Sequence, residues 1–159
     1  MKNLNFIRIL FIYLIFLIPF IAVGSEFESG LEAYYQGDYA TAIFYWSSLA
    51  ENGDPEAQFN IGSLYMRGEG FNQDEEKATR WFKLAAEQGN VFAQNELGYI
   101  HYIGKGILRA YMWWDIAAQR GNKEAEINKN FIAAKMNGPD VLRAKKMTKR
   151  CLKNKYKNC

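Results

Sequence analysis

Residues 54–89 read DPEAQFNIGSLYMRGEGFNQDEEKATRWFKLAAEQG, and their pattern returns downstream at nearly constant spacing. Ala57, Ile61, Gly62, Tyr65, Gly68, Gly70, Ala78, Trp81, Ala85, Ala86 and Gly89 mark two short helical periods joined by a glycine-bearing loop. Almost every marked residue is small or aromatic. That mixture suits two helices packed closely across small residues while large rings fill the gap to the next pair. Asp54-Pro55 is a helix start: the carboxylate accepts free N–H groups, and proline takes the first helical position, where its missing N–H costs nothing. The first helix is expected to reach about Arg67, the loop to span Gly68–Asn72, and Gln73-Asp74 to open a second helix ending at Gly89.

Residues 90–121 repeat this scheme with Ala93, Leu97, Gly98, Gly104, Gly106, Ala110, Trp113, Trp114, Ala117 and Ala118. Their loop is four residues shorter, since Gly70 precedes Trp81 by eleven positions and Gly106 precedes Trp113 by seven. Upstream, residues 25–53 supply a helix through Tyr34 and Tyr35, a turn at Gln36-Gly37-Asp38, and a helix through Ala42, Tyr45, Trp46, Leu49 and Ala50. Beyond Gly121 the pattern fades: Asn122 and Ala125 stay in register, but Lys129 and Asn130 stand where Ile61 and Gly62 stood. A stacked array needs such a hydrophilic outer face on its last unit, so residues 122–159, restarting a helix at Pro139-Asp140, read as a cap. The expectation is an all-α chain of eight helices in four pairs.

The motif Ala57-x-x-x-Ile61-Gly62, then Gly68-x-Gly70, then Ala78-x-x-Trp81-Phe82-x-x-Ala85-Ala86-x-x-Gly89 resembles the Sel-one-like repeat family, a branch of the tetratricopeptide-related solenoids. Residues 90–121 carry it too. The first unit lacks the G-x-G loop, and its Gly30, Gly37, Asp38, Tyr39 and Ala42 look more like a plain tetratricopeptide repeat. The resemblance covers roughly residues 27–121 and implies a right-handed α-α superhelix. Gly62, Ala78, Trp81 and Ala86, with Gly98, Ala110, Trp113 and Ala118, are then its structural repeat positions. Trp81, Trp113 and Tyr45 fall at equivalent places, as do Phe82, Trp114 and Trp46, and all six rings are expected to be buried. The tetratricopeptide-like alignment also implies a concave surface lined by first helices. Its contact residues would be Glu56, Phe59, Ser63, Met66 and Arg67, then Phe92, Asn95, Tyr99, Tyr102 and Ile103.

Both ends of the chain stand apart in composition. Residues 1–24 begin with Lys2 and Arg8, continue through an apolar run from Ile9 to Val23, and close on Ala22-Val23-Gly24. This reads as a signal peptide cleaved before Ser25, and predicts a periplasmic or secreted protein of a bacterium with no stable membrane insertion after cleavage. The only cysteines, Cys151 and Cys159, are expected to pair in an oxidising compartment. Eight residues of continuous helix would hold their Cα atoms about 12 Å apart, beyond the roughly 7 Å limit of a disulfide. The last helix must therefore end near Lys153 or Asn154. Charge is divided as well: residues 25–121 hold 14 acids against 7 bases, and residues 122–159 hold 3 against 11.

No motif assembles catalytic chemistry. His101 stands where Tyr65 stands in the preceding unit, a packing position, and no second histidine or nearby cysteine offers a metal site. No serine heads S-x-x-K or sits in G-x-S-x-G. Asp74, Glu75 and Glu76 belong to a helix N-terminus, where carboxylates oppose the dipole. The loop glycines have no phosphate-binding context. No catalytic residue, metal or cofactor is assigned. The reading is an exported, non-enzymatic module that binds a protein or peptide, such as an envelope complex or a secreted toxin, and not nucleic acid. A small secreted hydrolase or binder of β-lactam or cell-wall material is the alternative.

Overall fold

A computed structural model describes residues 26–157 and 159. The expected leader over 1–24 and its cleavage before Ser25 lie outside the described residues. Among those residues the chain forms eight helices and no strand. They are α1 (26–35), α2 (Tyr39–Glu51), α3 (Pro55–Arg67), α4 (Glu75–Glu87), α5 (Val91–Ile103), α6 (Ile107–Gln119), α7 (Lys123–Ala133) and α8 (Gly138–Lys153).

The helix starts follow from side chains that satisfy the free N–H groups of the first turn. Asp54 Oδ1 accepts from the Ala57 amide at 2.7 Å, and Asp38, Asp74, Asn90, Asn122 and Asn137 cap α2, α4, α5, α7 and α8 in the same way. Between repeats the chain reverses at Gly53, Gly89 and Gly121, with φ of 97°, 91° and 90°. In the α5–α6 loop the left-handed position falls on Lys105, at φ 60°, rather than on Gly104 or Gly106.

Within each repeat the two helices meet where a ring lies on bare backbone. Trp46 rests on Gly30, Phe82 on Gly62 and Trp114 on Gly98, and these rings are at most 2% exposed. A Cβ on Gly62 would come within 2.8 Å of the Phe82 ring. The two tryptophans add the same hydrogen bond: Trp46 Nε1 donates to the Phe27 carbonyl and Trp114 Nε1 to the Asn95 carbonyl, each at 3.2 Å and each three residues before the glycine. Phe82 has no N–H to give, and the matching Phe59 carbonyl accepts instead from the Ser63 hydroxyl at 3.0 Å. Ala42, Ala78 and Ala110 on the second helices are wholly buried beside these contacts, as is Ala86. Ala118 is only half-buried.

Successive repeats are tied by a buried glutamine that the repeat motif did not single out. Gln58 Nε2 donates to the Ala50 carbonyl at 3.0 Å and Gln94 Nε2 to the Ala86 carbonyl at 3.2 Å, linking the start of α3 to the end of α2 and α5 to α4. A buried amide left without a partner costs about 1–3 kcal/mol. The corresponding residue of α7 is Glu126, which is exposed.

The array closes differently from the way it propagates. α7 stacks on α6 as α5 stacks on α4, but α8 lies mainly across α6 and barely touches α7. With α5, α7 and α8 all packed on it, α6 buries Tyr111, Met112, Trp113, Trp114 and Ile116. This explains a departure from the expectation for the second ring set: Trp113 is 4% exposed beneath α8 and the tail, whereas Trp81 and Tyr45 have no such cover and stay half-buried. α8 ends at Lys153, and the chain turns back through Lys155 and Tyr156, both at positive φ, to join Cys159 to Cys151 with Cα atoms 5.2 Å apart. Tyr156 then accepts from Arg120 at 3.2 Å and pins the tail to the end of α6.

Gly62→Ala is expected to cost about 1–2 kcal/mol in urea unfolding, because the buried ring cannot retreat and overpacking outweighs the gain in helix propensity. Gly138→Ala, at a site with open space around it, changes stability by less than about 0.5 kcal/mol. Equal effects at the two glycines contradict the close-approach account.

Candidate partner-binding groove

Two adjoining clefts open between the first helices of the repeats. One, of ≈ 420 Å³, is lined by Phe27 and Leu31 of α1, Glu56, Phe59 and Asn60 of α3, and Gly89 to Phe92 at the start of α5. The other, of ≈ 230 Å³, is lined by Leu31, Tyr34, Tyr35, Phe59, Asn60, Ser63 and Arg67, with Trp46 among them. Leu31, Phe59 and Asn60 border both, so the clefts form one groove across α1, α3 and α5.

Its walls are extensions of the core. Phe59 stands between buried Phe82, at 5.7 Å between ring centroids, and Phe92 at the rim, at 5.8 Å, so a file of three rings runs outward from the Gly62 contact. Phe92 is 62% exposed and available to a ligand. Arg67 of α3 reaches across to donate to the Tyr34 hydroxyl of α1 and lies 3.7 Å from Glu69. Its guanidinium therefore braces one repeat against another while its edge remains in solvent.

The charged residues lining the two clefts are Glu56 and Arg67. Glu96 of α5 stands two residues before Gly98, as Asn60 stands two before Gly62. It makes no ion pair within 4 Å among the described residues, and its pKa is raised by burial first, then by Glu124 of α7, with Arg67 opposing. Further along, Tyr99 and Ile103 of α5 and Ile127 and Phe131 of α7 are exposed apolar groups. Aromatic and aliphatic walls with carboxylates suit a peptide carrying apolar and basic side chains.

The expected contact residues divide by environment. Glu56, Phe59 and Phe92 come together in the larger cleft, and Ser63 and Arg67 join Phe59 in the smaller. Tyr99 is exposed beyond them. Asn95 is 4% exposed and so is removed from the accessible surface, a correction that follows from its place under the Trp114 indole. Tyr102 packs between Trp114 and Phe131, and Met66 packs against the central core, so both serve mainly as inter-repeat filling. Leu31 and Asn60, which border both clefts, were missed, as was Glu96, which shares with Asn60 the place two residues before the packing glycine.

His101 lies elsewhere, half-buried in a ≈ 260 Å³ pocket with Thr79, Lys83, Leu97, Arg109, Trp113 and Cys159. Burial, then the neighbouring Arg109, lowers its pKa and favours the neutral ring.

The geometry defines a tetratricopeptide-like α-solenoid with a groove in its first-helix layer. The Sel1 repeat matches residues 22–54, 55–90 and 91–122, so the chain belongs to the Sel1 repeat family. The chitin synthase regulator SKT5 of Saccharomyces cerevisiae is 34% identical over 113 residues, covering 67% of this chain and 16% of that protein. A Sel1 repeat protein from Oxalobacter formigenes has a TM-score of 0.60 at 32% identity, over 68% of this chain and 87% of that one. A protective antigen present in uropathogenic Escherichia coli strains, displaying an SLR fold, has a TM-score of 0.76 at 25% identity, over 84% of this chain and 31% of that one. The chain thus spans about a sixth of the curated relative it matches. The Sel1 repeat is a protein-interaction module.

Folding raises the pKa of Glu96, so the folded chain holds this proton to higher pH than the unfolded chain, and its contribution to stability is lost as pH rises through the folded value. Glu96→Gln is expected to raise the urea midpoint at pH 7 and to leave it unchanged well below 4.5, the ordinary value. The same shift at both pH values contradicts the assignment.

Proposed function

We propose that this chain is an exported, non-catalytic interaction module that binds a protein or peptide segment along the groove of α1, α3 and α5. The observation that carries the reading is the continuity of the two clefts through Leu31, Phe59 and Asn60, which joins an apolar floor across three helices. Phe92 and Tyr99 supply exposed aromatic anchors, and Glu56 and Glu96 favour a cationic partner side chain. Export rests on the reading of residues 1–24 and agrees with the Cys151–Cys159 disulfide. In the periplasm or outside the cell, such a module serves as an envelope scaffold or regulator, or as an inhibitor that neutralises a secreted toxin.

Selection of peptides from a random displayed library tests this directly. Enriched peptides are expected to combine basic residues with aromatic or aliphatic ones, and Phe92→Ala or Tyr99→Ala is expected to weaken each by about tenfold or more without altering the melting curve. Peptides that bind Phe92→Ala, Tyr99→Ala and Glu96→Lys as well as the parent contradict the groove assignment.

A further inference from the structure

α8 carries a charged surface that the groove does not use. Arg143, Lys145, Lys146, Lys149, Arg150 and Lys153 are all exposed, and helical phase places them on the side opposite Ala144, Thr148 and Cys151, which are buried. Among the described residues only Arg143 lies near a carboxylate, 3.6 Å from Asp140. The basic residues of α7 and of the turn that follows it differ: Lys123 lies 3.6 Å from Glu126, Lys129 lies 3.5 Å from Asp115, and Lys135 sits over the Phe131 ring. Apart from Arg143, the cations of α8 are therefore concentrated without a paired carboxylate along a helix about 24 Å long.

The face is presented rigidly. α8 is held on α6 by Ala144, Met147 and Cys151, and the disulfide and Tyr156 fix the tail that bears Lys155 and Lys157. From the same face projects Leu142, one turn before Lys146 and 56% exposed.

We infer that the cationic face of α8 docks the protein onto a bilayer rich in anionic lipid headgroups. A long row of exposed lysines and arginines, unpaired beyond Arg143, matches a planar sheet of phosphates, and each basic residue held at such a surface strengthens binding roughly fivefold. Leu142 selects lipid over other polyanions, because an exposed leucine gains from burial among headgroups and acyl chains and gains nothing against nucleic-acid phosphate. No ring stands on this face to stack on a base. The acidic repeats, with 14 acids against 7 bases over residues 25–121, are repelled by the same surface. Docking through α8 thus orients the molecule with its groove away from the bilayer.

The test compares the oxidised full chain with Lys145→Glu/Lys146→Glu/Lys149→Glu in co-sedimentation with vesicles of phosphatidylcholine alone or with about a third phosphatidylglycerol. Residues 1–24 are identical in both proteins, so the difference between them isolates α8. The parent is expected to bind the anionic vesicles more tightly than the neutral ones, with affinity falling steeply between low and high salt. The triple variant, with an unchanged melting curve, is expected to lose roughly a hundredfold or more of that preference. Leu142→Ser is expected to weaken lipid binding further than it weakens binding to a DNA duplex. Equal binding of parent and variant to anionic vesicles, or tighter binding of the parent to the duplex than to the vesicles, overturns the inference.

Discussion

A large ring pressed onto a helix that has no side chain at the point of contact sets the spacing of every repeat. Removing the Cβ at Gly30, Gly62 and Gly98 lets the ring of the second helix sit directly on backbone, and the wholly buried alanines beside it let the helices stay close along their length. The indole N–H of Trp46 and Trp114 then fixes the rotation of the pair by reaching a specific carbonyl. Phe82 gives up that bond and keeps the packing, and the Ser63 hydroxyl takes over the freed carbonyl. Shape is therefore the shared requirement, with the hydrogen bond an addition in two of three repeats.

The same contact explains how the array passes into the groove and how it stops. Phe59, packed on Phe82, carries the core outward to Phe92, so the apolar wall of the groove is continuous with the interior and inherits its rigidity. At the other end, Asn130 occupies the glycine position and Thr148 the ring position of the last pair. Without a ring on bare backbone, nothing draws α8 onto α7, and α8 instead covers the apolar side of α6 left open by the end of the array. The disulfide and the Tyr156–Arg120 bond secure that arrangement.

Much of this was legible in the residues because the repeat shows each position more than once. Gly62 and Gly98 announced the close approach, Asp54, Asp74 and Asn90 announced the helix starts, and the spacing of Cys151 and Cys159 required the last helix to end where it does. The path of α8 was not legible, since its apolar residues fit a neighbour on either α6 or α7 and only three-dimensional competition decides between them. Burial of Asn95 was equally hidden: phase alone places it beside Phe92 and Tyr99, and the Trp114 indole that covers it comes from another helix. The pairs Ala57-Gln58 and Ala93-Gln94 did carry a signal for the inter-repeat bonds, but a glutamine near a helix start reads as surface until its acceptor on the preceding helix is seen.

Charge is divided as the packing is, with an excess of acids on the repeats and of bases on the closing helix, so the two ends of the molecule present surfaces of opposite charge. Both surfaces depend on the repeats holding their spacing, which makes the ring-on-glycine contact the element to measure. A double-mutant cycle in urea unfolding with Gly98→Ala and Trp114→Leu isolates it. Gly98→Ala is expected to destabilise the parent but to be neutral or stabilising once Trp114 is leucine, because the added methyl then occupies vacated space. Strictly additive effects of the two changes would contradict it.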